Sequence, residues 1–206
     1  MRTLIFLAVV AALAYGAYVL WQRSQRPASG ASGRAGTPPA DPLERHLVID
    51  PRRLKVGDII AYAGKDHLVR GSVSFDQDGD TWWEHHLDAG DGQRLWLSVE
   101  DAEDGLETVL WRAVLAPELT PETRVTHDGV SYARAETGRA TYTSTGTTGL
   151  PATGTVEYHD YASTTSADRR LSLERFGSDS YEVGLGEVVS PESLDIYPVT
   201  PGADGA

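Results

Sequence analysis

The chain has 206 residues, with 18 Lys and Arg against 30 Asp and Glu, a net charge of −12 and no cysteine. The missing cysteine excludes disulfides, thiolate nucleophiles and thiolate metal sites. The negative field argues against nucleic acid as a partner.

In chain order, Thr3 to Trp21 (TLIFLAVVAALAYGAYVLW) carries no charge. In a helix it spans about 28 Å, close to the hydrocarbon thickness of a bilayer. A cleaved signal peptide competes with this reading, and Ala12-Leu13-Ala14 is a small-x-small site. The single Arg before the run, and its continuation through Tyr18-Val19-Leu20-Trp21, favour a retained anchor. Residues 1–23 are therefore expected to be a transmembrane anchor, with the lipid bilayer as partner through residues 3–21. Arg23, Arg26 and Arg34 follow the span and Arg2 precedes it. This pattern assigns a single-pass protein of the cell membrane with its body on the cytoplasmic side.

Residues 24–45 are rich in Ser, Gly, Ala and Pro and read as a flexible linker. Residues 46–198 read as a β-rich domain and 199–206 as a disordered tail. Within the domain, short segments such as DIIAYAG, HLVRGSVSF, TWWEHHL, RLWLSV and YEVGLGEVV are rich in β-branched and aromatic residues. Turn residues separate them, at Gly64-Lys65-Asp66, Asp78-Gly79-Asp80, Gly90-Asp91-Gly92 and Asp128-Gly129. One helical turn is expected at Pro191–Leu194 after Ser190. The fold class is mainly β: antiparallel sheets or small barrels in two related halves, about 50–120 and 121–198, preceded by one transmembrane helix.

The halves are inferred from a doubled stretch. WWEHHLDAGDGQRLWLSVED (82–101) and TVEYHDYASTTSADRRLSLERF (155–176) each carry Glu-x-His and then Leu-Ser-(Val/Leu)-Glu. Glu84 aligns with Glu157, and Glu100 with Glu174, as an internal repeat would place them. Each copy is expected to be a hairpin. In the first, Trp83 faces Val99, His85 faces Leu97 and Leu87 faces Leu95 on a core side, with Glu84 beside Ser98 and His86 beside Trp96 on the other. In the second, Val156 faces Leu173, Tyr158 faces Leu171, and Glu157 lies beside Ser172.

These residues carry a family likeness. Leu54-Lys55-Val56-Gly57-Asp58, Val69-Arg70-Gly71, Trp82-Trp83-Glu84-His85-His86-Leu87 and Trp96-Leu97-Ser98-Val99-Glu100 resemble the pattern of the bacterial domain of unknown function family 4178. The likeness covers nearly all of residues 54–198. His85 stands where that pattern usually has Tyr, which suits an inward-facing ring. The resemblance implies no reaction, because the family has none assigned.

Several chemistries compete for the same residues. Glu84, His86, Glu157 and His159 would form a metal site if the two copies converged, four N/O ligands suiting zinc or manganese. The competing account has each Glu bonded to a neighbouring Ser or turn amide and His86 packed on Trp96, and it is preferred because no spacing here is diagnostic. Ser98 and Ser172 sit mid-strand with no nucleophile elbow, which disfavours a hydrolase triad. Trp82, Glu84, Trp96, Glu100, Glu157 and Glu174 are the ligand-binding candidates. On an open face they would suit a cationic or sugar-like ligand, and on a covered face they are core, the preferred alternative. The expected function is a membrane-tethered β-rich binding or adaptor module for a protein or small molecule, with no cofactor. The alternative is a metal-dependent hydrolase or lyase using the Glu-x-His pairs.

Overall fold

The alternating residues of the domain resolve into eleven strands, and every pairing between them is antiparallel. The computed structural model describes residues 49–102 and 105–199. The expected anchor, the linker and all of the tail but Val199 lie outside these residues. Among the described residues no helix is long and apolar enough to cross a membrane. Among the described residues helix is confined to two 3-10 turns, Pro51–Arg53 and Pro191–Ser193, the second where a helical turn is expected after Ser190.

The first five strands are β1 (Ile59–Tyr62), β2 (Lys65–Gln77), β3 (Asp80–Asp88), β4 (Leu95–Ala102) and β5 (Gly105–Val114). The next five are β6 (Arg124–His127), β7 (Val130–Gly146), β8 (Thr153–Ser163), β9 (Arg169–Phe176) and β10 (Glu182–Val189), and β11 (Asp195–Tyr197) closes the set. Two-residue turns join β1 to β2, β2 to β3 and β6 to β7. Both central residues have positive φ in Ala63-Gly64 (50° and 75°), Asp78-Gly79 (57° and 101°) and Asp128-Gly129 (48° and 76°). This is the type I′ geometry whose twist matches that of the flanking strands. The first turn falls one residue earlier than its Gly-Lys-Asp signal, so Lys65 and Asp66 already belong to β2.

Strands β2-β3-β4-β5-β10-β9-β8-β7 pair in that order, and β7 pairs back onto β2, which closes an eight-stranded barrel. β2 and β7 are long because each serves three neighbours. β2 offers residues 65–68 to β1, 68–77 to β3 and 71–76 to β7. β7 offers 130–133 to β6, 132–143 to β8 and 141–146 to β2. A register shift between Val69 and Gly71 in β2, and another between Arg134 and Glu136 in β7, bend the strands where these roles change.

Period-two alternation divides the wall into two faces. The apolar side of β3 and β4, with Leu87, Leu97 and Val99, points outward from the barrel. It is buried under β1, β11 and the two 3-10 turns in a cluster that includes Leu54, Ile60, Val69, Val189 and Leu194. A second outer cluster packs Tyr161, Leu171, Leu173 and Val183 under Val125 of β6 and Ala116 of the segment leading into it. The third cluster is inside. Val73, Phe75, Ala140, Tyr142 and Val156 gather with Trp82, Trp96, Leu150 and Phe176. Phe75 stacks on Trp82 at 5.0 Å between centroids and 8° between planes, and Tyr142 meets Phe176 edge-on at 5.7 Å. Such pairs contribute about 0.5–1.5 kcal/mol each beyond the area they bury.

Room for these rings comes from small residues opposite them. A methyl group at Gly186 would lie 2.7 Å from the Trp111 ring, and one at Gly138 would lie 2.7 Å from the Tyr158 hydroxyl. Narrow barrels fill their interiors by this alternation of large and small.

Candidate functional site

The hairpin β3–β4 has the expected register. Trp83 pairs with Val99, Glu84 with Ser98, His85 with Leu97, His86 with Trp96 and Leu87 with Leu95. The side carrying Glu84 is the inner one. It is enclosed by the rest of the barrel, yet it keeps water-sized space, so neither a flat open patch nor a solid core describes it. Trp83, expected on the core side opposite Val99, pairs with Val99 and is half-buried.

The hairpin β8–β9 corrects the second expectation. Val156 pairs with Phe176, Glu157 with Arg175, His159 with Leu173, Asp160 with Ser172 and Tyr161 with Leu171. The strand is displaced by three residues from the expected pairing. An odd displacement turns each side chain to the opposite face. Asp160, not Glu157, is therefore the acid beside Ser172, and Tyr161, not Tyr158, lies against Leu171 outside. The counterpart of Glu84 in this fold is Asp160, and that of Trp82 is Tyr158. The Glu-x-His match that aligned Glu84 with Glu157 is out of step with the pairing, whereas the Leu-Ser-x-Glu match is in step.

The lumen thus gathers four of the ligand-binding candidates, Trp82, Glu84, Glu100 and Glu174, with Asp160, Ser98 and Trp111. This enclosed space is about 140 Å³. It meets a second space of about 180 Å³, which opens at the end of the barrel bounded by the loop from Thr147 to Ala152. Glu84, Trp111 and Glu174 line both. Trp96, the fifth candidate, lines the outer space together with Arg94, Leu150 and Phe176.

The acids of the lumen are held away from their ordinary state. Burial, reinforced by the charge of Asp160, pushes Glu84 up to about 8. Burial raises Glu174 well above its usual value, with the like charges of Glu84, Asp160 and Glu182 adding to it. Burial lifts Asp160 to about 6 against a restraining hydrogen bond from Ser172. Glu100, at the solvent-exposed rim of the lumen, is raised to about 7, by partial desolvation first and then by the like charges of Glu107, Asp160 and Glu136. Arg170 reaches toward the lumen but is engaged by Glu107 at 3.3 Å. The Trp111 indole donates to the Ser98 hydroxyl at 2.9 Å, which fixes the ring across the lumen.

Glu157 faces outward. Its carboxylate accepts from Arg139 at 2.9 Å, Arg175 at 2.7 Å and the Tyr181 hydroxyl at 2.7 Å. Those partners, Tyr181 and Arg175 foremost, hold it down to about 2. His159 is beside it, 3.4 Å from the carboxylate, with Nδ1 2.7 Å from the Thr137 hydroxyl. His86 stacks on Trp96 at 5.0 Å and 27°, and its Nδ1 is 2.7 Å from the Thr147 carbonyl, to which it donates. Glu84 and His86 are therefore on the inner face and Glu157 and His159 on the outer one, so the four proposed metal ligands do not converge. Among the described residues no three His, Asp or Glu side chains are grouped to hold a metal ion.

Asp160 and Trp111 are the lumen residues that sequence reasoning missed. Asp160 stood next to the signal that was followed, His159. Trp111 was detectable through Gly184 and Gly186, two glycines in a strand that mark the approach of something large.

Fold and interior together define a closed antiparallel β-barrel with an acid- and indole-lined lumen. The family model "Domain of unknown function (DUF4178)" matches residues 55–191. The chain belongs to this family. It is 41% identical over 155 residues to the uncharacterized protein Rv2597 of Mycobacterium tuberculosis, covering 73% of this chain and 75% of that one. The uncharacterized protein Mb2628 of Mycobacterium bovis matches with the same identity and coverage. No solved structure matches the chain.

Proposed function

We propose that the protein is a binding module whose barrel lumen takes a small organic cation of the alkylammonium class. The body is built of two related halves, and the apolar segment 3–21 tethers it to a membrane. The observation that carries the reading is the pairing of charge and ring inside the barrel. Glu84, Asp160, Glu100 and Glu174 line the lumen with Trp82 and Trp111, and Arg170, which also reaches it, is already paired with Glu107. Carboxylates neutralise an ammonium group, and indole faces attract it through their quadrupole. A mostly preformed cavity with a few convergent polar groups is the usual form of a small-molecule site. Raised carboxyl groups favour the same occupant, because a bound cation supplies the counter-charge that the lining side chains do not.

The test is calorimetric titration of the full chain with n-butylammonium, using n-butanol as the neutral counterpart. Saturable binding of the cation alone is expected, tightening from pH 6 to pH 9 as the carboxyls ionise. Glu174→Gln should weaken it at least tenfold, and Glu157→Gln on the outer face should leave it unchanged. Equal heats for the amine and the alcohol, or no saturation up to millimolar amine, would refute the assignment.

A further inference from the structure

The enclosed centre of the lumen is not a dead end. Away from the Thr147–Ala152 loop it meets a third space of about 580 Å³, at the end of the barrel bounded by the β2–β3 turn. Trp82, Glu100, Glu136, Tyr158 and Asp160 line both the centre and this third space. Glu84, Trp111 and Glu174 line both the centre and the outer space. The three spaces therefore form one passage along the barrel, reached from either end.

Charge is spread unevenly along the passage. The outer space carries Arg94 as well as Glu182, and these two offset. In the centre Arg170 is engaged by Glu107 at 3.3 Å. Among the described residues no Lys, Arg or His lines the third space, and its Asp101 is met by Arg52 at 2.7 Å. With these pairs set aside, Glu84, Glu174, Asp160, Glu100 and Glu136 remain along the wall. None of the five makes a salt bridge among the described residues. They fall into two stations, Glu84 and Glu174 toward the outer space and Glu100, Glu136 and Asp160 toward the third. Glu84 pairs with Ser98, and Glu100 is the next residue of β4 on that face. One pleat, roughly 7 Å, therefore separates the two levels. Trp82 and Tyr158, in edge-on contact at 5.5 Å, wall the interval. The Tyr158 hydroxyl is 2.9 Å from both the Glu136 carboxylate and the Gln77 amide oxygen, which steadies that acid at the mouth. A single ammonium group meets one station and leaves the other without a counter-charge.

Building on the reading of the lumen as an alkylammonium site, on which this rests, we propose that the ligand is a linear diammonium compound of the polyamine class. It threads the passage with one ammonium between Glu84 and Glu174 and the other among Glu100, Glu136 and Asp160. A chain of about five or six bonds at ordinary C–C and C–N lengths covers the interval between the stations. Its methylenes lie against Trp82 and Tyr158, and each charged end meets carboxylates beside an aromatic face. A passage open at both ends also admits a chain longer than the interval.

The test is calorimetric titration of the full chain with n-butylammonium, trimethylenediamine, putrescine and cadaverine, all in one buffer. Putrescine or cadaverine should bind about tenfold tighter than n-butylammonium, the gain of one added charged contact. Trimethylenediamine, too short to reach both stations, should gain about threefold or less. This comparison needs no variant. Glu136→Gln, at an exposed position, should then lower the ratio of putrescine to n-butylammonium affinity about threefold or more. A loss of folding would weaken both ligands together and leave the ratio unchanged. Diamines that bind no tighter than n-butylammonium would overturn the diammonium assignment and leave the alkylammonium reading standing. An equal gain for all three diamines, or a ratio unmoved by Glu136→Gln, would overturn the two-station placement. No heat of binding from any amine would overturn the alkylammonium reading itself.

Discussion

Replacing Glu84 by Gln isolates the electrostatic cost of the lumen. Glu84 keeps its proton up to about pH 8 against an ordinary value of 4.5. The folded chain then binds more protons than the unfolded chain between those values, and stability must fall as pH rises through that window. At full ionisation the shift corresponds to about 5 kcal/mol. Water in the adjoining space lowers this, and about 2 kcal/mol is the working figure. Glutamine keeps the shape and a hydrogen-bonding head but never ionises. It also removes the like charge that raises Glu174. Urea denaturation of wild type and Glu84→Gln at pH 5 and pH 8.5 measures the effect. Near-equal stability is expected at pH 5, and the variant should be about 2 kcal/mol more stable at pH 8.5, a rise of roughly 4–8 °C in Tm for a body of this size. A variant that is less stable by the same amount at both pH values would refute the reasoning, because it would make Glu84 a structural hydrogen-bonding group and not a buried charge.

Four further outcomes follow from the geometry. Gly186→Ala should cost about 1–3 kcal/mol in chemical denaturation, since its methyl would lie 2.7 Å from an indole that Ser98 already fixes. His85 is fully buried, held down to about 4 chiefly by burial, with Nδ1 on Ser72 and Nε2 unpartnered. It therefore contributes a loss of stability as pH falls from 6.5 toward 4. His85→Tyr, which copies its counterpart Tyr161, should remove that acid limb in denaturation midpoints measured at pH 4.5 and 6.5. Ala63 has φ of 50° in a turn that favours Asn or Gly, so Ala63→Asn should raise stability by about 0.5–1 kcal/mol in thermal unfolding. Glu157→Ala should cost about 1 kcal/mol at pH 7 and progressively less as pH falls below 4.5, because its depressed carboxyl stabilises only when ionised.

How far the sequence could be read depended on what fixes register. In β3–β4 the short loop around Gly90-Asp91-Gly92 and the run Leu95-Trp96-Leu97 admit a single pairing that keeps apolar residues together. The expected pairs are the observed ones. In β8–β9 the loop is no longer than that one, but Val156, Tyr158 and Tyr161 offer apolar residues at both parities. The Glu-x-His repeat then favours pairing Glu157 with Ser172, whereas the acid beside Ser172 is Asp160. Barrel closure was not legible for a related reason. It depends on the pairing of β2 with β7 and of β5 with β10, between residues far apart in the chain, and no local pattern records it. In β3–β4 the alternation identifies the two faces but not their sense. A face bearing Trp82, Glu84 and Trp96 looks like solvent or core depending on what lies across from it, and here its own barrel does.

The two seams that close the barrel, β2 with β7 and β5 with β10, bear on how the chain folds. Every other pairing in the wall joins neighbours along the chain and can form as a local meander. The seams join Phe75 to Tyr142 and Trp111 to Gly186, and neither meander can satisfy its outer strands without the other. The rate-limiting event should therefore be the meeting of two preformed curved sheets, with slow kinetics typical of high contact order. Cut between Val114 and Arg124, the first meander would expose the free edges of both β2 and β5. Two copies of such a fragment, related by a two-fold axis, could each supply the edge the other lacks. An obligate dimer of one half would then rebuild the closed wall from a single short gene.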